Sequence, residues 1–363
     1  MLVVGSLALL LLVVAETGRG RLFAVAALLG AILPLVAIIA RRKRTRGWTA
    51  SVVGGGGLWI GAAVLLLVMA PSGKTNGRAS HAFAPGHTFP RYSLANLLPE
   101  SDQLLLGFSL MPLVDPLLTA TQASALKRLT VPIYGELEGD ADFHALGSIM
   151  SEPYGELFGQ VAKSGHAYVY VPPGADSRKP AAILVFFHGS GGNFKAYLWI
   201  LSKLADRLGF IVVAPSGGIG NWTEDESRVA LENALLAAAQ VAPVDRARIH
   251  IMGLSNGGLA ISQLAAFQGA RFASMVFLSP VFDQAAIRSG SFAGQCRGRR
   301  VLVVTGATDD RVPLSYVEEN ATRMKRAGAQ VTLKIFDEAD HFLVFSHRAP
   351  LFLDLEEWFR AGG

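Results

Sequence analysis

The sequence predicts an α/β protein: a doubly wound, mostly parallel sheet preceded by two or three transmembrane helices. Three observations carry that prediction. From about residue 165, runs of strand length alternate with longer helix-like stretches, the pattern of successive βαβ units. Some of the runs are continuously apolar, as strands buried on both faces of a parallel sheet must be. The hydrophobic excess of the chain (51% of residues, mean hydropathy +0.37) is concentrated in the first seventy residues rather than spread along its length.

In the apolar segment, "LFAVAALLGAILPLVAIIA" (22–40) is an uncharged run of about the ~20 residues that cross a bilayer. Residues 48–70 form another span, interrupted by "GGGG" at 54–57. Residues 1–15 form a shorter first span with neither the basic start nor the small-residue cleavage site of a secretory signal. Between the second and third spans lies "RRKRTR" (41–46), whose five cations belong on the cytoplasmic side. With three spans, the N-terminus is then inside and everything after residue 70 is extracytoplasmic. Residues 71–92, rich in Gly, Pro and Ser, read as a linker, and 93–160 as an N-terminal extension or cap.

From residue 161 to 363 the chain reads as one catalytic domain. "HAYVYV" (166–171) alternates like a half-buried strand, and "AAILVFF" (181–187) is a fully buried one. A helix at 195–208 leads to a strand at 210–215, and a helix at 225–241 leads to "RIHIMG" (248–253). Next come a helix at 256–268 and strands at 273–279 and 301–306. A helix at 314–327, a strand at 331–336 and a terminal helix at 349–361 finish the series. Sheets of this kind place their sites at the carboxyl ends of the strands.

The candidate chemistry falls at those ends. "GLSNGG" (253–258) puts Ser255 between a strand and a helix. A Gly-x-Ser-x-Gly string arises by chance in roughly one such chain in four, so the context carries the assignment. There a sharp turn exposes the hydroxyl beside the free N–H groups of a helix start, making Ser255 the candidate nucleophile. A serine needs a base. His341, in "EADHFLVF" after the last strand, is the candidate, with His347 as rival. The acid that orients the base is Asp309 in "TGATDDRVP" (305–313), with Asp310 as neighbour and potential helix cap, and Asp283 as a lesser rival. "FFHGSGGN" (186–193) supplies an oxyanion loop: the N–H groups of Asn256 and Ser190 are the expected donors, Gly191 the near alternative, and His188 a loop brace.

Composition narrows the function class. Apart from the five cations at 41–46, the chain carries 28 basic and 28 acidic groups, so the net charge of +5 gives no basic stripe for nucleic acid. A single cysteine, Cys296, excludes an intramolecular disulfide and a cysteine-rich metal site; no cofactor or metal is expected.

Taken together, "YVYVPPGA", "HGSGGN", "FIVVAPSGG", "VDRARIHIMGLSNGG" and "GATDDRVP" resemble the α/β-hydrolase superfamily. Within it they resemble the serine esterases of the polyhydroxybutyrate-depolymerase, feruloyl-esterase and dienelactone-hydrolase type. The resemblance covers roughly residues 160–363 and implies the α/β-hydrolase fold with the order Ser255, Asp309, His341. It also implies a serine hydrolase acting on a small-molecule or lipid-like carboxylic ester, which the apolar spans outside the resemblance would anchor to the membrane. A cell-envelope acyltransferase and a serine peptidase are the alternatives on the same fold.

Overall fold

The computed structural model describes residues 1–43, 46–75, 77–84, 86–157, 159, 165–175 and 179–362. The chain divides into two compact units: Met1–Ser72 with Pro90–Gly135, and Gly73–Phe89 with Glu136–Gly363.

The first unit is helical. Helices α1 (Leu2–Val14), α2 (Gly18–Lys43) and α3 (Arg46–Met69) fall on the three apolar stretches read as spans. Residues 44 and 45 of the basic stretch lie outside the described residues. Within α2 and α3, residues 18–39 and 50–69 are long and apolar enough to cross a bilayer. At 1.5 Å per residue, the 13 residues of α1 extend only about 20 Å, short of a ~30 Å hydrocarbon core. Side chains such as Ile38, Val53, Leu58 and Val68 point outward, leaving the long helices apolar on their exposed faces. The unit continues with α4 (Leu94–Leu97), α5 (Glu100–Leu110) and most of α6 (Ala120–Gly139). The carboxylate of Asp102, fully buried on α5, accepts hydrogen bonds from the Glu16 N–H at 2.8 Å and the Thr17 hydroxyl. It thereby holds a negative charge at the N-terminus of α2, where the helix dipole favours one.

The second unit is an eight-stranded sheet: β1 (Ala79–Phe83), β2 (His166–Tyr170), β3 (Ala181–Phe187), β4 (Ile211–Pro215), β5 (Val244–Leu254), β6 (Ser274–Leu278), β7 (Arg300–Gly306) and β8 (Gln330–Phe336). The spatial order is β1-β2-β4-β3-β5-β6-β7-β8. Strands β1 and β2 run antiparallel to their neighbours, and all other pairs are parallel. With its flanking helices this is the α/β-hydrolase fold. Every residue of β3 is buried, as its unbroken apolar run requires. Ile183, Val185, Ile251, Val303, Leu264 and Phe277 form part of the continuous core on one sheet face. Helices α7 (Ser151–Leu157), α8 (Lys195–Leu208), α9 (Glu224–Val241), α10 (Gly257–Gln268), α11 (Gln284–Arg288), α12 (Gly290–Cys296), α13 (Leu314–Arg326), α14 (Leu343–Ser346) and α15 (Arg348–Arg360) complete the unit. The stop of α8 is local chemistry: Gly209 takes φ +71° and its N–H closes on the Ala205 carbonyl.

Two features differ from the expected organisation. The stretch 71–92 is more than a linker, because Ala79–Phe83 pairs with Phe83↔His166 through Ala79↔Tyr170 and forms the sheet edge. Residues 93–160 are not one element either, since the division between the units falls inside α6 and assigns 136–157 to the sheet unit.

Candidate functional site

The site is built where β5, β7 and β8 end. After Leu254 the backbone turns sharply, with Ser255 at φ +51°, a left-handed conformation that costs a side-chain-bearing residue about 1 kcal/mol or more. The turn is held from several directions. The Ser255 N–H donates to the Leu278 carbonyl at 2.8 Å, and the Ser255 carbonyl accepts from the N–H groups of Gly258 and Val281 at 2.8 and 2.9 Å. Close approach fixes the residue after next: a Cβ on Gly257 would lie 2.1 Å from the Phe187 carbonyl oxygen.

The acid turn and the histidine loop are likewise stitched together. The Ala307 N–H donates to the Phe336 carbonyl at 2.9 Å and the Thr308 N–H to the Ala339 carbonyl at 3.1 Å. Gly306 admits that approach, as a Cβ there would sit 2.0 Å from the Ala339 oxygen. Asp340 accepts from the Phe342 N–H at 2.9 Å and shapes the loop around His341.

These constraints bring Ser255, His341 and Asp309 into one line. The His341 Nε2 lies 3.0 Å from the Ser255 Oγ, and the Nδ1 lies 2.8 Å from the Asp309 Oδ2. A carboxylate only accepts, so Nδ1–H donates to Asp309, which leaves Nε2 to accept from the Ser255 hydroxyl. The side chain of Asp309 is fully buried, and its other oxygen accepts from the N–H groups of Arg311 and Val312 at 2.9 and 2.8 Å.

The rivals lie elsewhere. The His347 Nδ1 pairs with the Ser346 Oγ at 2.9 Å. Asp310 is exposed and does not cap α13, whose N-cap position is Pro313. Asp283 caps α11 through the Ala286 N–H at 2.9 Å and accepts from Gln263.

The two expected oxyanion donors, the N–H groups of Ser190 and Asn256, carry no hydrogen bond among the described residues. The near alternative is corrected: the Gly191 N–H donates to the Ile219 carbonyl at 2.9 Å and is spent on bracing the loop. The Ile219 N–H in turn donates to the Glu156 carboxylate on α7 at 2.8 Å. Glu156 is a support the sequence did not reveal, because 63 residues separate it from its partner and neither neighbourhood carries a motif.

His188 is a brace. It is fully buried, its Nδ1–H donates to the Gly189 carbonyl at 2.8 Å, and its Nε2 accepts from the Gly217 N–H at 3.0 Å. The indole N–H of Trp222 reaches the His188 carbonyl at 3.0 Å, so one residue joins the loops after β3 and β4. Burial pushes its imidazole down to about 4. Burial, reinforced by Arg300 and Arg248, does the same to His250.

A pH dependence of stability follows. In the unfolded chain each imidazole protonates near ~6.5, while the folded protein keeps it neutral down to about 4. The unfolded state therefore binds more protons across that window, and stability falls as pH drops from 6.5 towards 4, by about 3 kcal/mol per residue at most. The urea unfolding midpoint, followed by tryptophan fluorescence, is expected to fall steadily between pH 7 and 4.5. A midpoint flat across that range contradicts the burial of neutral imidazoles.

The model of the prolyl oligopeptidase family matches residues 291–361, a segment that contains Asp309 and His341. The acylaminoacyl peptidase of Pyrococcus horikoshii is similar at 17% identity and a TM-score of 0.44, over 54% of this chain and 39% of that one. Esterase 2 of Thermogutta terrifontis is similar at 18% identity and a TM-score of 0.43, over 53% of this chain and 88% of that one. The chain thus spans about two fifths of the length of the peptidase it matches. No curated protein sequence matches it.

Proposed function

We propose that this chain is a membrane-anchored serine hydrolase cleaving carboxylic esters through an acyl-enzyme. The observation that carries the reading is the 3.0 and 2.8 Å relay from Ser255 through His341 to Asp309, with Ser255 held in a left-handed turn. A hydroxyl on such a turn stands clear of the backbone, and its base is already in the tautomer that accepts a proton.

The Ser255 Oγ attacks the ester carbonyl while His341 Nε2 takes the hydroxyl proton. Asp309 holds the imidazolium in place, and the N–H groups of Asn256 and Ser190 receive the developing oxyanion. Collapse of the tetrahedral intermediate breaks the C–O bond as His341 returns the proton to the departing alcohol. Water then enters, gives a proton to His341 and releases the acid by the same steps in reverse. Each oxyanion donor supplies roughly 3 kcal/mol of transition-state stabilisation.

The membrane anchor rests on α2 and α3, which are long and apolar enough to cross a bilayer and expose apolar side chains outward. The cations around residues 41–46 hold their connection on the cytoplasmic side, so the sheet unit works extracytoplasmically. A phosphatase fused to the C-terminus is then active and a cytoplasm-dependent reporter is silent; the opposite pattern overturns the orientation.

A second reading, a serine peptidase, is favoured by one observation, the prolyl oligopeptidase match over 291–361. A panel of p-nitrophenyl esters of graded acyl length and peptidyl p-nitroanilides separates the two. The proposal expects turnover of the esters at least ~100-fold above the anilides; the reverse ranking assigns the site to peptides.

The elbow itself is testable. Gly257→Ala forces apart two backbones that now approach too closely for any side chain. A displacement of about 1 Å at a nucleophile costs on the order of 10²-fold. Ester kcat/KM in this variant is expected to fall by that factor; unchanged kinetics would show that the turn is not held as described.

A further inference from the structure

Outside the Ser255 site, one cluster among the described residues has the composition of a metal centre. His87 follows β1, His166 opens β2 and Glu152 lies on α7, and one ligand atom from each falls within 4.8 Å of the others. The His166 Nδ1 is 3.4 Å from the Glu152 Oε1, and the His87 Nδ1 is 4.0 Å from the same oxygen. No cysteine takes part, and the three residues lie too far apart in the chain for their spacing to announce the site.

The polar atoms of this cluster are not satisfied by the protein. The His166 side chain is only 5% exposed, yet neither of its ring nitrogens has a hydrogen-bond partner, and the Glu152 Oε2 is buried without one. Buried groups in that condition each cost about 1–3 kcal/mol, so orphaned atoms on two adjoining side chains of this cluster call for a ligand. A cation supplies what is missing, because all three side chains offer lone pairs.

We propose that His87, His166 and Glu152 bind a zinc ion. Two imidazoles and one carboxylate select against Mg²⁺ and Ca²⁺, which take oxygen sets, and favour Zn²⁺ with water as fourth ligand. Ligand atoms about 2 Å from a tetrahedral zinc lie roughly 3.3 Å from one another, so the His166–Glu152 spacing is already suitable. His87, whose side chain is 27% exposed and whose Nδ1 is 4.0 Å from the Glu152 Oε1, must move inward by about 1 Å to close the set.

The ion would serve as a clamp. It ties the segment after β1 to the start of β2 and to α7. The same helix carries Glu156, which holds Ile219, which holds the Gly191 N–H of the oxyanion loop. The clamp is separate from the reaction at Ser255, so its test does not depend on ester cleavage.

The test uses the full chain in detergent, stripped with a chelator and titrated with ZnCl₂ or CoCl₂ alone. The expected result is one equivalent of zinc per chain by elemental analysis, with a visible four-coordinate spectrum for cobalt. Saturation should raise the melting temperature by about 5 °C or more. Glu152→Gln and the partly exposed His87→Ala should each lower zinc affinity at least ~10-fold, while His144→Ala, at an exposed histidine outside the cluster, retains it. Failure to bind zinc, or binding undiminished in both Glu152→Gln and His87→Ala, overturns the proposal.

Discussion

Ser255→Ala is expected to lower ester kcat by about 10⁶-fold, the largest effect available at this site. Without the Oγ no acyl-enzyme forms, and only the oxyanion donors and substrate binding remain, which together retain a residual acceleration of about 10³–10⁴ over water. The fold should survive. The bonds that hold the turn, from the Ser255 N–H to Leu278 and from Gly258 and Val281 to the Ser255 carbonyl, are made by the backbone and do not need the hydroxyl. The check is kcat on a short p-nitrophenyl ester beside the melting temperature. An active, folded alanine variant would remove Ser255 from the chemistry.

Asp309→Asn is expected to cost about 10⁴-fold in kcat with little change in stability. Asparagine keeps one carbonyl oxygen, so the N–H groups of Arg311 and Val312 remain satisfied and the turn persists. Its amide N–H₂, turned towards the His341 Nδ1, drives the imidazole proton onto Nε2. The nitrogen that faces Ser255 then has no lone pair to offer, and the imidazolium loses its buried counter-charge. Asp310→Asn is the control: an exposed neighbour of the same chemistry should leave kcat within about twofold. Equal losses in the two variants would put the acid elsewhere.

The buried half of the fold was legible because its signals are local. An unbroken apolar run fixes β3 at 181–187, and Gly209 marks the stop of α8 at the expected residue. Edge strand β1 left no such signal. "ASHAF" lies among glycines and prolines and gains strand conformation only from pairing with β2. Strand β5 likewise starts at Val244 rather than 248, because its exposed first residues carry polar side chains that disguise it. Within 93–160, Pro132 sits inside α6 and breaks the periodicity that would have announced a 20-residue helix.

The same division runs through the site. Ser255 and His341 follow strands at the expected ends, and chain order alone brought them forward. The place of Asp309 in the turn directly after β7 favours it over Asp310, and the structure turns its side chain inward onto the His341 Nδ1. The Gly191 amide was misjudged for a different reason. Its partner Ile219 lies in another loop, and only the packed structure shows that the N–H is already engaged. Long-range supports such as Glu156 and the His87–Glu152–His166 cluster belong wholly to this second kind.

Covalent capture decides whether Ser255 is an activated nucleophile. The intact protein in detergent is treated with a fluorophosphonate, digested and mapped by mass spectrometry. A single stoichiometric adduct is expected on the peptide containing Ser255, absent from Ser255→Ala and formed much more slowly in Asp309→Asn. No adduct, or an adduct that persists in the alanine variant, would contradict that role for Ser255.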